Sequence, residues 1–125
     1  MITIKNENLR PFDIDDTIIL PYNATAQLQV GREVFVYDPI EDKKIKMVAH
    51  EPNIRLLKEE KHRGGYIWVW SRSGFEWARN VIKALDLEAY VDIVTTKPIV
   101  YFDDKDVSEW LKDRVWLPPE MKYKR

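Results

Sequence analysis

Stretches typical of β-strands alternate with stretches typical of helices along this chain, and the alternation restricts its fold. Residues 64–70, GGYIWVW, form a β-branched and aromatic run entered through two glycines, as expected of a buried strand. Residues 74–87 repeat apolar side chains on one helical face, and residues 51–63 combine an early proline with a basic end, which favours a second helix. The alternation predicts an α/β domain, a three-layer sandwich with a mainly parallel, Rossmann-like sheet and right-handed crossovers.

Shorter patterns predict the remaining elements. Residues 32–38 and 43–49 alternate apolar and polar side chains about the turn-like sequence DPIED, as the strands of a β-hairpin do. This hairpin lies outside the minimal α/β core, so it is expected to act as a flap over the site and to contain few core positions. A short first strand is predicted from NLRPF and DTIIL, although Pro11 removes one hydrogen-bond donor from it. Further strands are predicted at 90–94, 98–102 and 115–118, and a further helix at 106–114.

Composition narrows the class of protein. The chain has 125 residues, which suits one domain over residues 1–125. Its net charge of -1 gives no overall attraction to nucleic acid or to an anionic membrane, and the absence of cysteine excludes disulfides and thiolate chemistry. The sequence has no signal-peptide pattern and no apolar run long enough to cross a bilayer, so a cytoplasmic protein without a membrane partner is expected.

Polar side chains follow four of the predicted strands, and the carboxyl ends of parallel strands meet at one edge of the sheet, where ligands bind. Crowded carboxylates stay ionised only beside a cation, and all-oxygen ligands of this kind suit Mg²⁺. A serine hydroxyl and a lysine are natural partners of phosphate, and an aspartate can attack phosphorus. The side chains concerned are Asp13, Asp15 and Asp16 in DIDDT, Ser71 and Arg72 in SRSG, Lys97 in TTK, and Asp103 and Asp104 in DDKD.

These residues resemble the four motifs of the haloacid dehalogenase-like (HAD) superfamily, in order and in spacing. The resemblance rests on DIDDT at 13–17, Ser71 after an apolar strand, KP at 97–98 and YFDD at 101–104, and it extends from about residue 9 to about residue 112. Two positions depart from the family pattern. The first strand carries Arg10 and Pro11 in place of a fully apolar run, and Asp16 replaces a frequent glycine.

The resemblance implies a Mg²⁺-dependent phosphomonoesterase that works through an aspartyl-phosphate intermediate. Asp13 would be the nucleophile. Asp15 would be first the general acid and then the general base, and its main-chain carbonyl would bind the metal. Phosphate would be bound by Ser71, Arg72 and Lys97. For Arg72 a local salt bridge is the other interpretation. Mg²⁺ would be bound by Asp13, Asp15, Asp103 and Asp104.

The chain resembles the small, capless type of this superfamily. Only the predicted hairpin lies between Thr17 and Pro52, and about one helix and one strand fit between Ser71 and Lys97. An open site suits a large substrate, such as a nucleic-acid end, a nucleotide or a phosphoprotein. It equally suits a site completed by a second subunit.

Other interpretations stay open at this point. A receiver-like phosphoacceptor or a binding module without turnover would use a similar residue set on a parallel sheet, although no aspartate ends the central strand here. Trp68, Trp70 and Trp77 are predicted to be core residues, and His50 and His62 to be surface or satisfied histidines. The basic runs KKIK, KEEKHR and KYKR are interpreted first as solvated faces and only second as a surface that binds nucleic acid.

Overall fold

The structure is a computed structural model that describes residues 6–22 and 31–117. In these residues the chain forms two sheets, two α-helices and two short 3₁₀ turns. The strands are β1 (Leu9–Asp13), β2 (Ile19–Pro21), β3 (Glu33–Asp38), β4 (Lys43–Ala49), β5 (Tyr66–Ser71) and β6 (Ile93–Thr96); the helices are α1 (Glu51–His62) and α2 (Phe75–Ala84); the 3₁₀ turns are Asn6–Asn8 and Val107–Glu109.

One of the two sheets is parallel and has the strand order β1-β5-β6. Asp13 lies opposite Trp70, and Trp70 lies opposite Thr95, so the three strands end at the same edge. We call this edge, with Asp13, Ser71 and Thr96, the rim. The prediction of an α/β fold with a parallel sheet is confirmed.

Both helices pack on one face of the parallel sheet. The central strand β5 alternates in burial, with Ile67 and Val69 fully buried in the core beside Leu57 of α1 and Val81 of α2. Two right-handed crossovers that advance in the same direction along a sheet put their helices on the same side. The opposite face carries the partly exposed side chains of β5. Neither of the two helices that the structure describes has the length or the apolar character needed to span a bilayer.

The predicted hairpin forms, and it joins a short strand in a second, antiparallel sheet with the order β2-β4-β3. The expectation that few core positions lie in it is wrong. Val36 is fully buried and Met47 nearly so, both in the same core as the helices. The Asn80 side chain of α2 donates a hydrogen bond of 3.0 Å to the Tyr37 carbonyl, which ties the hairpin to the helix.

The predicted first strand is two strands in two sheets. NLRPF forms most of β1 in the parallel sheet, and the end of DTIIL forms β2 in the antiparallel sheet. The break lies at the acidic loop, where the chain turns sharply between the sheets. The strand predicted at 90–94 also differs slightly, since β6 runs from Ile93 to Thr96.

The chain after β6 departs from prediction. Residues 98–102 form no strand, the helix at 106–114 is reduced to the 3₁₀ turn Val107–Glu109, and residues 115–117 are irregular, while residue 118 lies outside the described residues. Only Lys97 separates β6 from residues 98–102. Two residue steps span at most about 7 Å, whereas a five-residue strand is about 16 Å long. The chain therefore cannot return to the amino edge of this sheet in time to start another parallel strand.

Candidate active site

The loop after β1 is a tight turn closed by main-chain hydrogen bonds. The Ile14 carbonyl accepts hydrogen bonds from the N–H groups of Thr17 (3.2 Å) and Ile18 (3.0 Å). Asp16 has a φ of 64°, in the left-handed region that favours glycine and that aspartate tolerates better than most side chains. Asp16 therefore occupies a backbone position that glycine would adopt more readily.

Two fully buried polar residues at the start of α1 hold this loop from behind. The His50 N–H donates to the Ile18 carbonyl at 2.9 Å, and the Asn53 side-chain amide donates to the Thr17 carbonyl at 2.8 Å. His50 also caps α1, since its Nδ1 accepts the Asn53 N–H at 3.2 Å. The contact of Asn53 with the loop was not predicted from the sequence. Asn53 lies four residues before Leu57, so it falls on the apolar face of α1, and this spacing could have predicted that it is buried.

Asp13 and Lys97 meet at the rim as predicted. The Lys97 Nζ lies 3.7 Å from the Asp13 Oδ1, and the side chains are 34% and 35% exposed. Burial raises the pKa of the Asp13 carboxyl above its usual range. The neighbouring Asp15 carboxylate raises this pKa further, while the Lys97 ammonium group and the Ile14 N–H lower it. The lysine main chain is fixed by its N–H, which donates to the Ser71 carbonyl at 2.9 Å.

Asp15 is held by two side-chain donors. The Ser71 hydroxyl donates to Asp15 Oδ2 at 2.6 Å, and the Trp77 indole N–H donates to Asp15 Oδ1 at 2.8 Å. Trp77 is nearly buried, as predicted for a core residue. Its bond to Asp15 was not predicted, and the general need of a buried indole N–H for an acceptor is the only hint that the sequence contains.

The start of α2 joins two strand ends of the rim. The Gly74 N–H donates to the Ser71 carbonyl at 3.2 Å, and the Phe75 N–H donates to the Thr96 hydroxyl at 3.0 Å. Gly74 has a φ of 108°, a conformation that side-chain-bearing residues rarely adopt. The short turn therefore fixes Ser71 in position relative to the third strand.

Three of the predicted site residues are not gathered at this cluster. Arg72 is exposed and forms no ion pair with any described residue. Asp103 and Asp104 are also exposed, and the Asp103 carboxylate accepts a hydrogen bond from its own neighbour, the Lys105 N–H, at 3.2 Å. The structure thus joins Asp13, Asp15, Ser71 and Lys97 but not the second acidic pair, because the strand expected to deliver that pair is not formed.

The residues at the rim fit a Mg²⁺ site only in part. Mg²⁺ commonly binds through one or two carboxylates together with water and substrate phosphate. Asp13 offers a partly exposed carboxylate, whereas both carboxylate oxygens of Asp15 already accept hydrogen bonds. Within residues 6–22 and 31–117, no three His, Cys, Asp or Glu side chains lie together in a way that could hold a metal. Further ligands would have to come from the substrate or from the second acidic pair.

No family model, no curated protein and no solved structure matches this chain.

Proposed function

We propose that this chain is a Mg²⁺-dependent phosphomonoesterase of HAD-like type in which Asp13 attacks phosphorus. The supporting observation is the placement of the Lys97 ammonium group 3.7 Å from Asp13 at an open rim. The cation beside Asp13 offsets the charge that an incoming phosphoryl group brings, and a carboxyl pKa shifted by burial is typical of candidate functional sites. We also propose that the complete fold is a HAD-like sandwich of three layers.

In the first step, an Asp13 carboxylate oxygen forms a bond to phosphorus while the bond from phosphorus to the substrate oxygen breaks. Asp15 enters this step in its protonated form and gives that proton to the leaving oxygen, and the alcohol departs. Lys97 offsets the negative charge that the nucleophile and the phosphoryl group bring together. Arg72, exposed beside Ser71, binds the phosphoryl oxygens, whereas the one proton of the Ser71 hydroxyl stays in its hydrogen bond to Asp15.

In the second step, water attacks phosphorus and gives its proton to the Asp15 carboxylate. The bond between phosphorus and Asp13 breaks, inorganic phosphate leaves, and both aspartates return to their starting states. The hydrogen bonds from Ser71 and Trp77 orient Asp15 for this transfer. Asp13 and the Asp15 main-chain carbonyl would hold Mg²⁺, which would supply positive charge to the phosphoryl group during its transfer.

The test is hydrolysis of an aryl phosphate with and without Mg²⁺. We expect activity with Mg²⁺, its loss in chelator, and a decrease of about 10³-fold or more in Asp13→Asn, because the nucleophile is removed and the shape is kept. Asp16→Asn is the matched control, since asparagine tolerates the left-handed conformation of that position. Its rate should stay within about twofold of the wild-type rate. The corresponding change in activation free energy is well below the roughly 1.4 kcal/mol that a tenfold change in rate represents. Full activity in chelator, or in the Asp13 variant, would refute the proposal.

A phosphoacceptor without turnover is the second candidate, since the pair Asp13–Lys97 would serve it equally well. Asp15→Asn separates the two. In a phosphatase this variant should still accept phosphate from an activated ester, which needs no acid, but release it slowly, because the base for water is missing. The measurement is a burst of phenol release followed by a slow steady state. If wild-type protein keeps its phosphate as long as this variant does, the chain is a phosphoacceptor.

A further inference from the structure

The indole ring of Trp70 lies close to the Lys97 ammonium group at the rim. Trp70 is directly opposite Asp13 of β1, and residues paired across two strands project their side chains to the same side of the sheet. The Lys97 Nζ lies 5.9 Å from the centre of the Trp70 ring and 3.7 Å from the Asp13 Oδ1. The ammonium group is therefore within reach of a carboxylate and of an aromatic ring at once.

The contact with Asp13 does not by itself fix the Lys97 side chain. The main chain is held, because the Lys97 N–H donates to the Ser71 carbonyl at 2.9 Å. The ammonium group, however, ends a flexible stem of four carbons and is partly exposed, so holding it in one place costs conformational entropy. Its distance from Asp13 exceeds the usual N–H···O range of about 2.7–3.2 Å, and ion pairs that water reaches contribute little. A second contact is needed to keep the charge beside the carboxylate.

The Trp70 ring supplies such a contact. Indole attracts cations more strongly than the other aromatic side chains do, and the attraction extends to about 6 Å from the ring centre. Trp70 is partly buried, which limits the screening of this attraction by water. A core position was predicted for Trp70, but it lies outside the hydrophobic core of the described residues. Packing in that core therefore does not explain the ring.

Trp70 is itself held in place. Its main chain pairs on both sides, with Asp13 of β1 and with Thr95 of β6. Its ring meets the Trp68 ring edge-on, with centres 4.9 Å apart and an angle of 67° between the planes. The Trp68 indole N–H in turn donates to the Thr95 hydroxyl at 2.8 Å. The flexible lysine side chain therefore lies against a ring that strand pairing and a neighbouring indole both fix.

We propose that Trp70 is a positioning residue that holds the Lys97 ammonium group beside Asp13. The effect on catalysis rests on the proposed function, in which Lys97 offsets the charge of the nucleophile and of the phosphoryl group; the restraint on Lys97 does not. Trp70→Leu keeps an apolar side chain on the sheet but removes the ring, so the ammonium group would spend more time away from Asp13. Because Trp70 acts through Lys97, its effect should vanish when the lysine charge is absent.

The motion of the Lys97 side chain tests the restraint without reference to activity. We expect NMR relaxation of the Lys97 ε-methylene group to give a higher order parameter in wild-type protein than in Trp70→Leu. Trp70→Met, which also lacks a ring, should behave like Trp70→Leu, so the test does not depend on the folding of one variant.

Tyr66→Leu is the matched control for this measurement. Tyr66 projects from the same side of β5 and has an ammonium group, that of Lys61, 5.7 Å from its ring centre, but it lies four residues from Trp70. This variant should leave the Lys97 order parameter unchanged. An order parameter that is the same in wild type and in the ringless Trp70 variants, or that falls as far in Tyr66→Leu, would overturn the proposal.

A double-mutant cycle tests the effect on catalysis. Trp70→Leu should lower kcat/KM for an aryl phosphate about fivefold, and Trp70→Phe, which keeps a ring, should lower it less. In a Lys97→Met background, which lacks the charge but keeps an apolar stem, Trp70→Leu should change kcat/KM by less than about twofold. Equal losses from Trp70→Leu in both backgrounds would show that Trp70 acts by packing and would overturn the proposal. A wild-type protein that hydrolyses no phosphate ester, but in which Trp70→Leu frees the Lys97 side chain, would refute the proposed function and leave the restraint standing.

Discussion

Asp13 and Asp15 lie two positions apart in one loop, yet their surroundings differ. Asp13 faces Lys97 across 3.7 Å and keeps a partly exposed carboxylate whose pKa is raised mainly by burial. Asp15 has a donor on each carboxylate oxygen. Asp13 is therefore open to a ligand and Asp15 is fixed in orientation, as the proposed roles of nucleophile and proton carrier require.

The raised pKa of Asp13 predicts that its charge destabilises the fold. The folded state binds the proton more tightly than the unfolded state, so the stability from this group is fully present below the ordinary aspartate pKa of about 3.9. This stability is lost as pH rises through the higher pKa of the folded state. Asp13→Asn should therefore become more stable relative to wild type as pH increases.

We expect the difference in Tm between Asp13→Asn and wild type, measured in chelator, to grow by about 1–3 °C between acid and neutral pH. It stays small because water screens the partly exposed carboxylate and because Lys97 loses its partner in the variant. Thermal scans across this pH range measure it. A difference that is flat, or that shrinks with rising pH, would contradict the assignment of the raised pKa.

Under the proposed function, Trp77→Phe should slow hydrolysis of the phosphate bound to Asp13 while keeping the core packed. Phenylalanine fills most of the indole volume but donates no hydrogen bond to Asp15, and hydrogen bonds to charged groups contribute about 1.5–3 kcal/mol. We expect kcat to decrease about tenfold or more. In an Asp15→Asn background the same change should have little further effect, because the two residues act through one group.

Trp68→Phe is the control for that variant. The Trp68 indole also donates a hydrogen bond, but its acceptor is the Thr95 hydroxyl, at 2.8 Å, and not Asp15. It should lower kcat much less than Trp77→Phe. Equal losses in the two variants, or an undiminished loss in the Asp15→Asn background, would show that Trp77 acts only by packing.

Among the elements, the hairpin of β3 and β4 is a supporting wall of the core. Val36→Ala should destabilise the protein by about 1–3 kcal/mol, because it leaves a cavity where a fully buried side chain stood. Phe35→Ala, at the next and exposed position, should cost less than about 0.5 kcal/mol. Urea unfolding with an unchanged m-value measures both. If Val36→Ala hardly lowers the free energy of unfolding but changes the relative kcat/KM for small and large substrates, the hairpin acts as a flap and is not a supporting wall of the core.

Elements with a clear hydrophobic periodicity were predictable from the sequence. Elements whose formation depends on whether the preceding chain is long enough to reach the sheet were not. The spacing of Ala78, Val81 and Ile82 defines α2, and the alternation on both sides of DPIED defines the hairpin. Residues 98–102 have an equally strand-like composition, but two residue steps after β6 are too few to begin a parallel neighbour. Local pattern carries no information about where the previous strand has left the chain.

The same contrast applies to the candidate site. Asp13, Ser71 and Lys97 follow strands, and parallel strands bring their ends together, so their meeting was predictable. The bonds of Trp77 and Asn53 link residues distant in sequence, on side chains that are ordinarily explained by packing or by helix surfaces. Such contacts depend on how the helices sit against the sheet, which no residue pattern specifies.

At the scale of the whole molecule, Pro11 leaves the outer edge of β1 short of a donor. Pro11→Val would supply the missing N–H and make this edge a better template for another strand. We expect faster aggregation on heating, measured by light scattering, with a nearly unchanged Tm. Pro39→Val is the control, because it changes the hairpin turn and leaves both edges of the parallel sheet as they are. Equal aggregation in the two variants would mean that the edge plays no part.

The pairing of β1 with β5 also has a kinetic consequence. Leu9 pairs with Tyr66 across a long loop, whereas Asp38 and Lys43 pair across a short turn. A hairpin forms in about 1–10 μs, but pairing between distant segments must first overcome the entropy of closing the loop. The rim should therefore assemble late in folding and open early under mild denaturant. Hydrogen exchange should detect this as weaker protection of the Ile14 amide, which is bound to the Trp70 carbonyl, than of the hairpin amides.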